Sequence, residues 1–482
     1  DQSSFLVSIM KMEMDITKLD NNLYRQFKGK KYGGYLEMFN PVLFITDLDL
    51  MKEIYIKNFD HFVDRRNFSV EKNDPHLHHT VVNQTGDAWK GLRNKMSPTF
   101  TTGKIRGMFT IFNSSAEKLI KALTVQARVD DVVEIRPLIQ NLTMDVIASA
   151  AFGIQSDLFE DPDSPFAKHA MKIQNLFTAK NFAQILTIWS FPKLAEWLGM
   201  KLTDDAADKF LSKIIIDTLN YRLKTGEKRE DFLQLMIDAR LGQLKRDDES
   251  ELDNHEKNAQ LKEVRDKAKI QLTDDVIIAQ SLVFLLGGFD TTESMLTFAL
   301  YELALNQDVQ ERLYQEIKES VENNNGEFSY EIINNLEYLD RVVQETLRKY
   351  PPATRVDRKC TRPFKLPNTD FVLPKDSIVV LPIYPVHHDP DIWPNPEKFD
   401  PERFTKANSA NRHPCAFAPF GHGPRNCIGN RFALMEGKTA IAHLLMSFVL
   451  ESCEKTIVPP VFKSQSPLKP SDNTPLRIRA RT

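Results

Sequence analysis

The sequence predicts a mainly α-helical chain with small β-sheets, an α+β fold, closed into one large domain around a long central helix. Three observations predict it. From about Asp275 to Leu305 the chain is apolar on nearly all sides, with Ala279, Leu282, Val283, Leu285 and Leu286 in one run, and a helix apolar all round belongs inside a large core. Strand-like stretches are short and fall in three separated places, approximately 33–62, 355–385 and 456–482, while helical periodicity occupies approximately 87–350 and 415–450. That is not a repeating βα pattern. The charge-dense stretch 241–269, with Lys245, Arg246, Asp247, Asp248 and Glu249 together, reads as an exposed loop. It is not a domain linker, because motifs of one chemistry lie on both sides of it.

Composition sets the outer bounds. The chain has 482 residues, 41% hydrophobic and 27% charged, with a net charge of −3. Nothing global suggests nucleic acid, and a basic partner surface has to be local. The four cysteines, Cys360, Cys415, Cys427 and Cys453, form no C-x-x-C pair, which argues against a zinc site, a redox dithiol or a disulfide framework and for a reducing compartment. No run of about 18 or more apolar residues occurs, so no transmembrane helix is expected. The chain opens at Asp1 without Met, and Phe5 to Met10 is too short for a signal h-region. Its start reads as that of a fragment.

The elements follow in order. Tyr35–Met38 and Pro41–Thr46 read as strands around an Asn-Pro turn, and Asp47 to Lys57 as a helix capped by Asp47. Residues 64–86 are polar and irregular. They hold the densest histidine cluster, His76, His78 and His79, which lacks the spacing and further ligands of a metal site. Asp87 opens a helix that puts Trp89 and Arg93 on one face, where an indole N–H and a guanidinium suit a carboxylate of a buried ligand. Residues 104–150 are helical around a strand-like Val132–Ile135. In 165–222 the apolar run Phe182–Phe191, with Trp197 and Leu198 after Pro192, reads either as core or as a loop dipping into a membrane surface.

Thr273 and its acidic neighbours cap the central helix. In its middle stands Gly287-Gly288-Phe289-Asp290-Thr291-Thr292. Two glycines and an acid–alcohol pair are poor choices for a buried helix centre, and such a local fault is where function is expected. The other reading is a helix crossing. Asp308–Glu322 and Leu336–Tyr350 are further helices, the second with Glu345 and Arg348 three apart; Pro401-Glu402-Arg403-Phe404 follows. Arg355–Cys360 and Ile378–Leu381 read as strands, His387 to Pro396 as a Pro-rich meander, Phe432–Leu450 as a helix and 456–482 as short strands around Ser471-Asp472-Asn473.

The stretch Phe420-Gly421-His422-Gly423-Pro424-Arg425-Asn426-Cys427-Ile428-Gly429 reads F-x-x-G-x-R-x-C-x-G. A thiolate that ligates haem iron needs a dry, fixed loop with donors aimed at the sulfur. Gly423 and Gly429 permit a sharp turn and close approach to a flat ligand. Phe420 can cover the sulfur side of the ring, Arg425 can meet a propionate, and the following helix presents its N-terminus to the thiolate.

This loop resembles the haem-ligand loop of the cytochrome P-450 family, the haem-thiolate monooxygenases. The other motifs agree and occur in the family's order: W-x-x-x-R at Trp89 and Arg93, G-G-x-D-T at Gly287–Thr291, E-x-x-R at Glu345 and Arg348, and P-E-R-F at Pro401–Phe404. The surrounding phrases resemble animal microsomal members, especially insect enzymes of the detoxification group. The resemblance covers about Tyr35 to Arg481 and implies the following. Cys427 ligates the iron of haem b. Trp89, Arg93, Arg358 and Arg425 hold the propionates, with Phe420 and Gly429 against the ring. Asp290 and Thr291 deliver protons, and Arg403 completes a Glu–Arg–Arg network. Electrons come from NADPH through a flavoprotein reductase, with cytochrome b5 as a further donor. The substrate is lipophilic: an insecticide, a plant toxin, a hormone or a fatty acid. The location is the cytosolic face of the endoplasmic reticulum membrane. Lys90, Lys95, Arg431 and Lys438 are the cations expected at the reductase-docking face. Two departures stand out: the N-terminal membrane anchor of microsomal members is absent from this chain, and the turn Lys469–Pro475 lacks their Gly-Gly-aromatic pattern. The alternatives are a reductase-independent haem-thiolate isomerase or dehydratase, which tends to lack the acid–alcohol pair, and a non-catalytic haem-binding sensor or carrier.

Overall fold

The computed structural model of the chain describes residues 16–37, 40–154, 156, 158–174, 176, 179–243, 270–463, 468–470 and 474–481. Four sequence expectations lie wholly or partly outside them: the first residues, including Phe5–Met10; the end of the first expected strand, at Met38; most of the charge-dense stretch, from 244 to 269; and Ser471-Asp472-Asn473.

The central helix spans Asp274–Leu305, 32 residues, and starts where the Thr273 hydroxyl accepts the Val276 amide. It is long and apolar enough to cross a membrane by length and composition. Instead it is the axis of the core, packed chiefly on the helix Ile135–Phe152. Leu282, Leu285, Phe289, Met295 and Leu296 are all buried in the same cluster as Leu142 and Ile147 from that neighbour. Gly288 sits at the crossing: a Cβ there would come within 2.5 Å of Ile147 Cδ1. At Gly287 an added Cβ would meet nothing within 4 Å. The crossing explanation therefore accounts for one glycine and leaves the other.

The strands are β1 (Tyr32–Glu37), β2 (Asn40–Ile45), β3 (Val132–Glu134), β4 (Arg355–Lys359), β5 (Phe364–Lys365), β6 (Val372–Leu373), β7 (Ile378–Pro382), β8 (Phe448–Glu451), β9 (Phe462–Lys463), β10 (Lys469–Pro470) and β11 (Pro475–Ala480). They form a four-stranded sheet in the order β1-β2-β7-β4, a three-stranded sheet β3-β11-β8, and the pairs β10-β9 and β5-β6. The β2–β7 pairing is parallel, with Leu43 opposite Val379, and β4 lies antiparallel to β7 with Arg358 opposite the same Val379. Strands from opposite ends of the sequence thus share one sheet, and Arg358 is carried on its fourth strand.

Three boundaries differ from expectation for physical reasons. Pro41 lies within β2, opposite Leu36; the parallel ladder to β7 begins only at Val42, so the missing N–H disturbs no bond there. The helix capped by Asp47 is regular only over Leu48–Lys52 and continues as a π-turn, Glu53–Lys57. The Cys-loop helix ends at Ser447, because Phe448-Val449-Leu450-Glu451 alternates buried and half-buried residues and pairs with β11 as β8. The run Phe182–Phe191 divides. Ile185, Leu186 and Ile188 of the helix Ala179–Ser190 are buried, whereas Phe191, Leu194, Trp197 and Leu198 turn outward, Trp197 being 81% exposed.

Candidate haem-thiolate site

The loop before the helix Asn430–Ser447 is wound tightly around its own backbone. The Cys427 amide donates to Phe420 O at 2.8 Å, the Asn426 amide to Gly423 O at 3.0 Å and the Gly421 amide to Ala418 O at 3.0 Å. Gly421 and Gly423 take φ of 70° and 71°, where side chains are disfavoured. Gly423 has a second constraint: its Cβ would stand 2.0 Å from the carbonyl oxygen of Tyr55 in the π-turn. Gly429 has φ of −91° and open space where a Cβ would go. It is not needed for the turn, and the space beside it is open.

Cys427 is enclosed by surrounding protein, yet its surface is accessible. The two facts fit a side chain that borders an internal space. Burial pushes the thiol upward; the Gly429 amide and the charges of Arg93 and Arg65 oppose it. Those are the donors a thiolate ligand requires. Cys360 and Cys415 are buried elsewhere and Cys453 is half-buried.

Beside this sulfur lies a cluster of buried guanidiniums. Arg93 spends its fork on Asn426, Nη1 to the backbone oxygen at 3.0 Å and Nη2 to Oδ1 at 2.9 Å. Arg358 is wholly buried and donates Nη1 to Asp357 O at 2.8 Å, with its Nε and Nη2 unpartnered. Arg425 stacks over the Trp89 ring at 4.6 Å. Arg65 donates to Arg425 O at 3.0 Å. The nearest acids are committed: Asp357 binds Arg66 Nε at 2.6 Å and Asp64 accepts the Gly86 amide at 2.7 Å. Burial first and neighbouring cations second push Arg358 down to about 9 and Arg425 down to about 8. Burial, with Arg65 alongside, lowers Arg93 to about 10. A buried cationic cluster short of acids is expensive unless an anion completes it. Nε of Arg65, Nε and Nη2 of Arg358 and Nε of Arg425 all lack partners, so the residues fit the two propionates of a haem whose iron takes the Cys427 sulfur.

Trp89 and Arg93 are buried on one helix face, as their spacing predicts. Arg425 differs from expectation. Its Nη1 donates to Val63 O at 2.6 Å and its Nη2 to Val82 O and Gln84 O at 3.0 and 2.7 Å, so the fork braces the chain before the Trp89 helix and only Nε is left for a ligand. Phe420 is half-buried against the main core. Arg65 was missed by sequence reasoning, and its only signal is the Arg65-Arg66 pair at the edge of an irregular stretch.

The scaffold behind the loop is Glu345 with Arg348 and Arg403. Arg348 clasps Glu345 at 2.7 and 2.9 Å, and Arg403 Nε lies 3.3 Å from Glu345 Oε1. Glu345 and Arg348 are fully buried.

In the central helix the Thr291 hydroxyl donates to Gly287 O at 2.5 Å. Asp290 is paired to Lys469 Nζ at 2.6 Å. Of the expected docking cations, Lys438 is buried and bound to Asp340 at 2.7 Å, so it is no part of a surface; Lys90, Lys95 and Arg431 are half-buried. The histidines His76 and His78 pair with Asp208 and with Asn67 and Ser69. Among the described residues no group of three or more His, Cys, Asp or Glu is placed to hold a metal ion.

Comparison with known proteins gives the family. A family model described as Cytochrome P450 matches residues 4–477. The chain is 38% identical over 454 residues to Cytochrome P450 9e2 of Blattella germanica, an alignment covering 91% of this chain and 83% of that protein. It is 36% identical over 456 residues to Probable cytochrome P450 6a14 of Drosophila melanogaster, covering 93% and 86%, and 34% identical over 438 residues to Cytochrome P450 6j1 of Blattella germanica, covering 91% and 82%.

Proposed function

Because this chain belongs to the cytochrome P450 family, we propose that it inserts one atom of O2 into a lipophilic small molecule, using electrons from NADPH passed by a flavoprotein reductase, with cytochrome b5 as a further donor. That it is a P450 monooxygenase follows from the family. The substrate class, the donors and the roles of individual residues are our reading.

The observation that carries it is the group of unpartnered arginine nitrogens beside the Cys427 sulfur. Haem bound through that thiolate supplies the oxygen chemistry. Arg65, Arg93, Arg358 and Arg425 neutralise its propionates, Trp89 supports the Arg425 guanidinium, and Phe420 and Gly429 leave the ring its approach. Asp290 takes a proton and passes it to Thr291 Oγ. That hydroxyl donates its own proton to Gly287 O, which leaves its lone pairs free to accept; passing that proton on requires the hydroxyl to turn away from the carbonyl.

Support for a lipophilic substrate comes from a separate apolar cluster beside the glycine fault. Leu77, Leu176, Ile185 and Leu202 are buried in it, and Phe68, Trp189 and Leu286 are packed against them only partly buried. Leu286 directly precedes Gly287. The outward Phe191, Leu194, Trp197 and Leu198 suit contact with the cytosolic face of the endoplasmic reticulum membrane.

The test is spectroscopic, then kinetic. Cys427→Ser should lose the red-shifted Soret band of the reduced CO complex, while Cys360→Ser, Cys415→Ser and Cys453→Ser keep it. Reductase-coupled NADPH consumption should rise with lipophilic substrates from a xenobiotic panel. A thiolate spectrum surviving in Cys427→Ser would remove the ligand assignment, and an active enzyme needing no electron donor would favour the isomerase.

A further inference from the structure

The central helix carries its acid in an unusual setting. Asp290 is 9% exposed and its partner Lys469 18% exposed, 2.6 Å apart. Lys469 is not on a neighbouring helix. It stands on β10, in the C-terminal segment that departs from the family's pattern. That segment is fastened at the residue before the lysine: the Leu468 amide donates to Pro352 O at 2.9 Å, and Ser294, one helical turn beyond Asp290, donates its hydroxyl to Leu468 O at 2.5 Å. The backbone therefore presents Lys469 to the carboxylate in a fixed position. The same helix face continues the row of charges. Glu293 is completely buried, receives Arg136 Nε at 2.6 Å through Oε1 and leaves Oε2 without a partner. The charged groups facing Asp290 are thus Lys469, Glu293 and, behind Glu293, Arg136.

We propose that Lys469 is the positioning residue of the proton relay: it keeps Asp290 an ionised acceptor, aimed at the edge of the protein from which protons enter. This rests on reading Asp290 and Thr291 as the relay. A lone carboxylate buried at the centre of an apolar helix takes up a proton and keeps it. In that state it is a fixed donor that cannot be reloaded. With an ammonium at hydrogen-bond distance the carboxylate stays charged at rest. A hydrated proton arriving beside the partly exposed Lys469 then binds an Asp290 oxygen, moves to Thr291 Oγ, and the proton already on Thr291 is released. Asp290 returns to its anionic form against Lys469, so charge and protons balance through one cycle.

The experiment uses the haem-loaded enzyme with Lys469→Met, Lys469→Arg, Asp290→Asn and the double variant Lys469→Met with Asp290→Asn. A normal CO spectrum in each verifies folding. The first readout is independent of turnover: infrared absorption by a protonated buried carboxyl at neutral pH. Lys469→Met should gain such a band over the wild type, and the double variant should lose that gain, which separates Asp290 from Glu293. Lys469→Arg should show no gain. The second readout is coupling of NADPH to product. It should fall roughly tenfold to a hundredfold in Lys469→Met, with a larger solvent isotope effect, and recover in Lys469→Arg. No new band together with unchanged coupling in Lys469→Met would overturn the role of Lys469. If Asp290→Asn itself leaves coupling intact, the relay reading fails instead, whatever Lys469 does.

Discussion

His387 Nε2 accepts the Ala418 amide at 3.0 Å, and this one bond joins the Glu345–Arg348 scaffold to the cysteine loop. Because Ala418 N–H is a donor, Nε2 carries no proton. Nδ1 does, and donates to Arg348 O at 3.0 Å. Arg348 returns a bond from Nη1 to His387 O at 2.9 Å. The imidazole is fixed in one tautomer, and burial, with His388 and Arg348 nearby, holds it well below its usual range, so it is neutral.

Replacing it should loosen the loop. His387→Leu removes the acceptor for Ala418 and the donor for Arg348 O, two buried groups that then go unsatisfied at roughly 1–3 kcal/mol each. Thermal unfolding should shift down and the fraction of chain binding haem should fall, with the thiolate signature unchanged in what remains. An unaltered haem yield would show that the loop holds itself without the scaffold.

Gly423 and Gly429 look alike in the sequence and should behave differently. Gly423→Ala forces a side chain onto a φ of 71° and against Tyr55 O; such strain and overlap cost roughly 2–5 kcal/mol. Gly429→Ala has neither problem, so the chain should fold at nearly normal stability while the methyl group weakens haem binding at the approach side. Denaturant unfolding and haem titration separate the two effects. Equal unfolding free energies for both variants would refute the distinction.

What was legible from the sequence follows from the range of the interactions. Trp89 with Arg93, the cap at Thr273 and the apolar strand β2 are set within a few residues, and the structure agrees with them. Arg65 and Lys469 were invisible because their meaning depends on partners far along the chain, Arg425 and Asp290. Glu345 with Arg348 was recognisable as a pair, but its complete burial depends on the meander with His387 and on Arg403. The helix-to-strand change at Phe448 depends on β11, which supplies the ladder for it. Lys438 misled for the same reason: a lysine on an amphipathic pattern reads as solvated until Asp340 is placed opposite it.

Stability should decline below neutrality through buried neutral histidines. His443 Nε2 donates to Asn113 Oδ1 at 2.9 Å; an amide oxygen can only accept, so Nε2 carries the proton. Its ring stacks on Phe328 at 3.9 Å. Burial pushes it down to about 4 from an unfolded value of 6.5. The unfolded chain therefore binds a proton that the folded chain refuses, and stability present above about pH 6.5 is lost as pH falls towards 4. His443→Gln keeps a donor for Asn113 without the titration and should remove roughly 2 kcal/mol of that loss near pH 4.5. His76 works in the opposite sense, since Asp208 raises it, so the wild-type slope is a net value and the difference between variant and wild type is the quantity to measure. Identical slopes from pH 6.5 to 4.5 would show that His443 titrates normally.

The electron donor should meet the protein through local cations near the cysteine loop, and the structure narrows which ones. Lys438, 8% exposed and bound to Asp340 at 2.7 Å, holds two helices together. Reversing it to Glu would set a buried carboxylate against Asp340, a loss on the order of 3–5 kcal/mol, and would damage folding before docking. Lys90 and Lys95 sit on the Trp89–Arg93 helix off its ligand-facing side, half-buried, and among the described residues neither is paired with a buried acid; Lys90 is 3.7 Å from the exposed Asp87. An encounter steered by such charges acts on the association rate and fades as ionic strength passes about 0.1 M. Lys90→Glu with Lys95→Glu should therefore slow reductase-driven turnover at low salt and flatten its salt dependence, with thermal stability and peroxide-driven turnover kept. Lys438→Glu should lower all of these together. Were the double variant to lose both turnovers equally, the damage would lie in the haem site; were it to lose neither, the donor would bind another face.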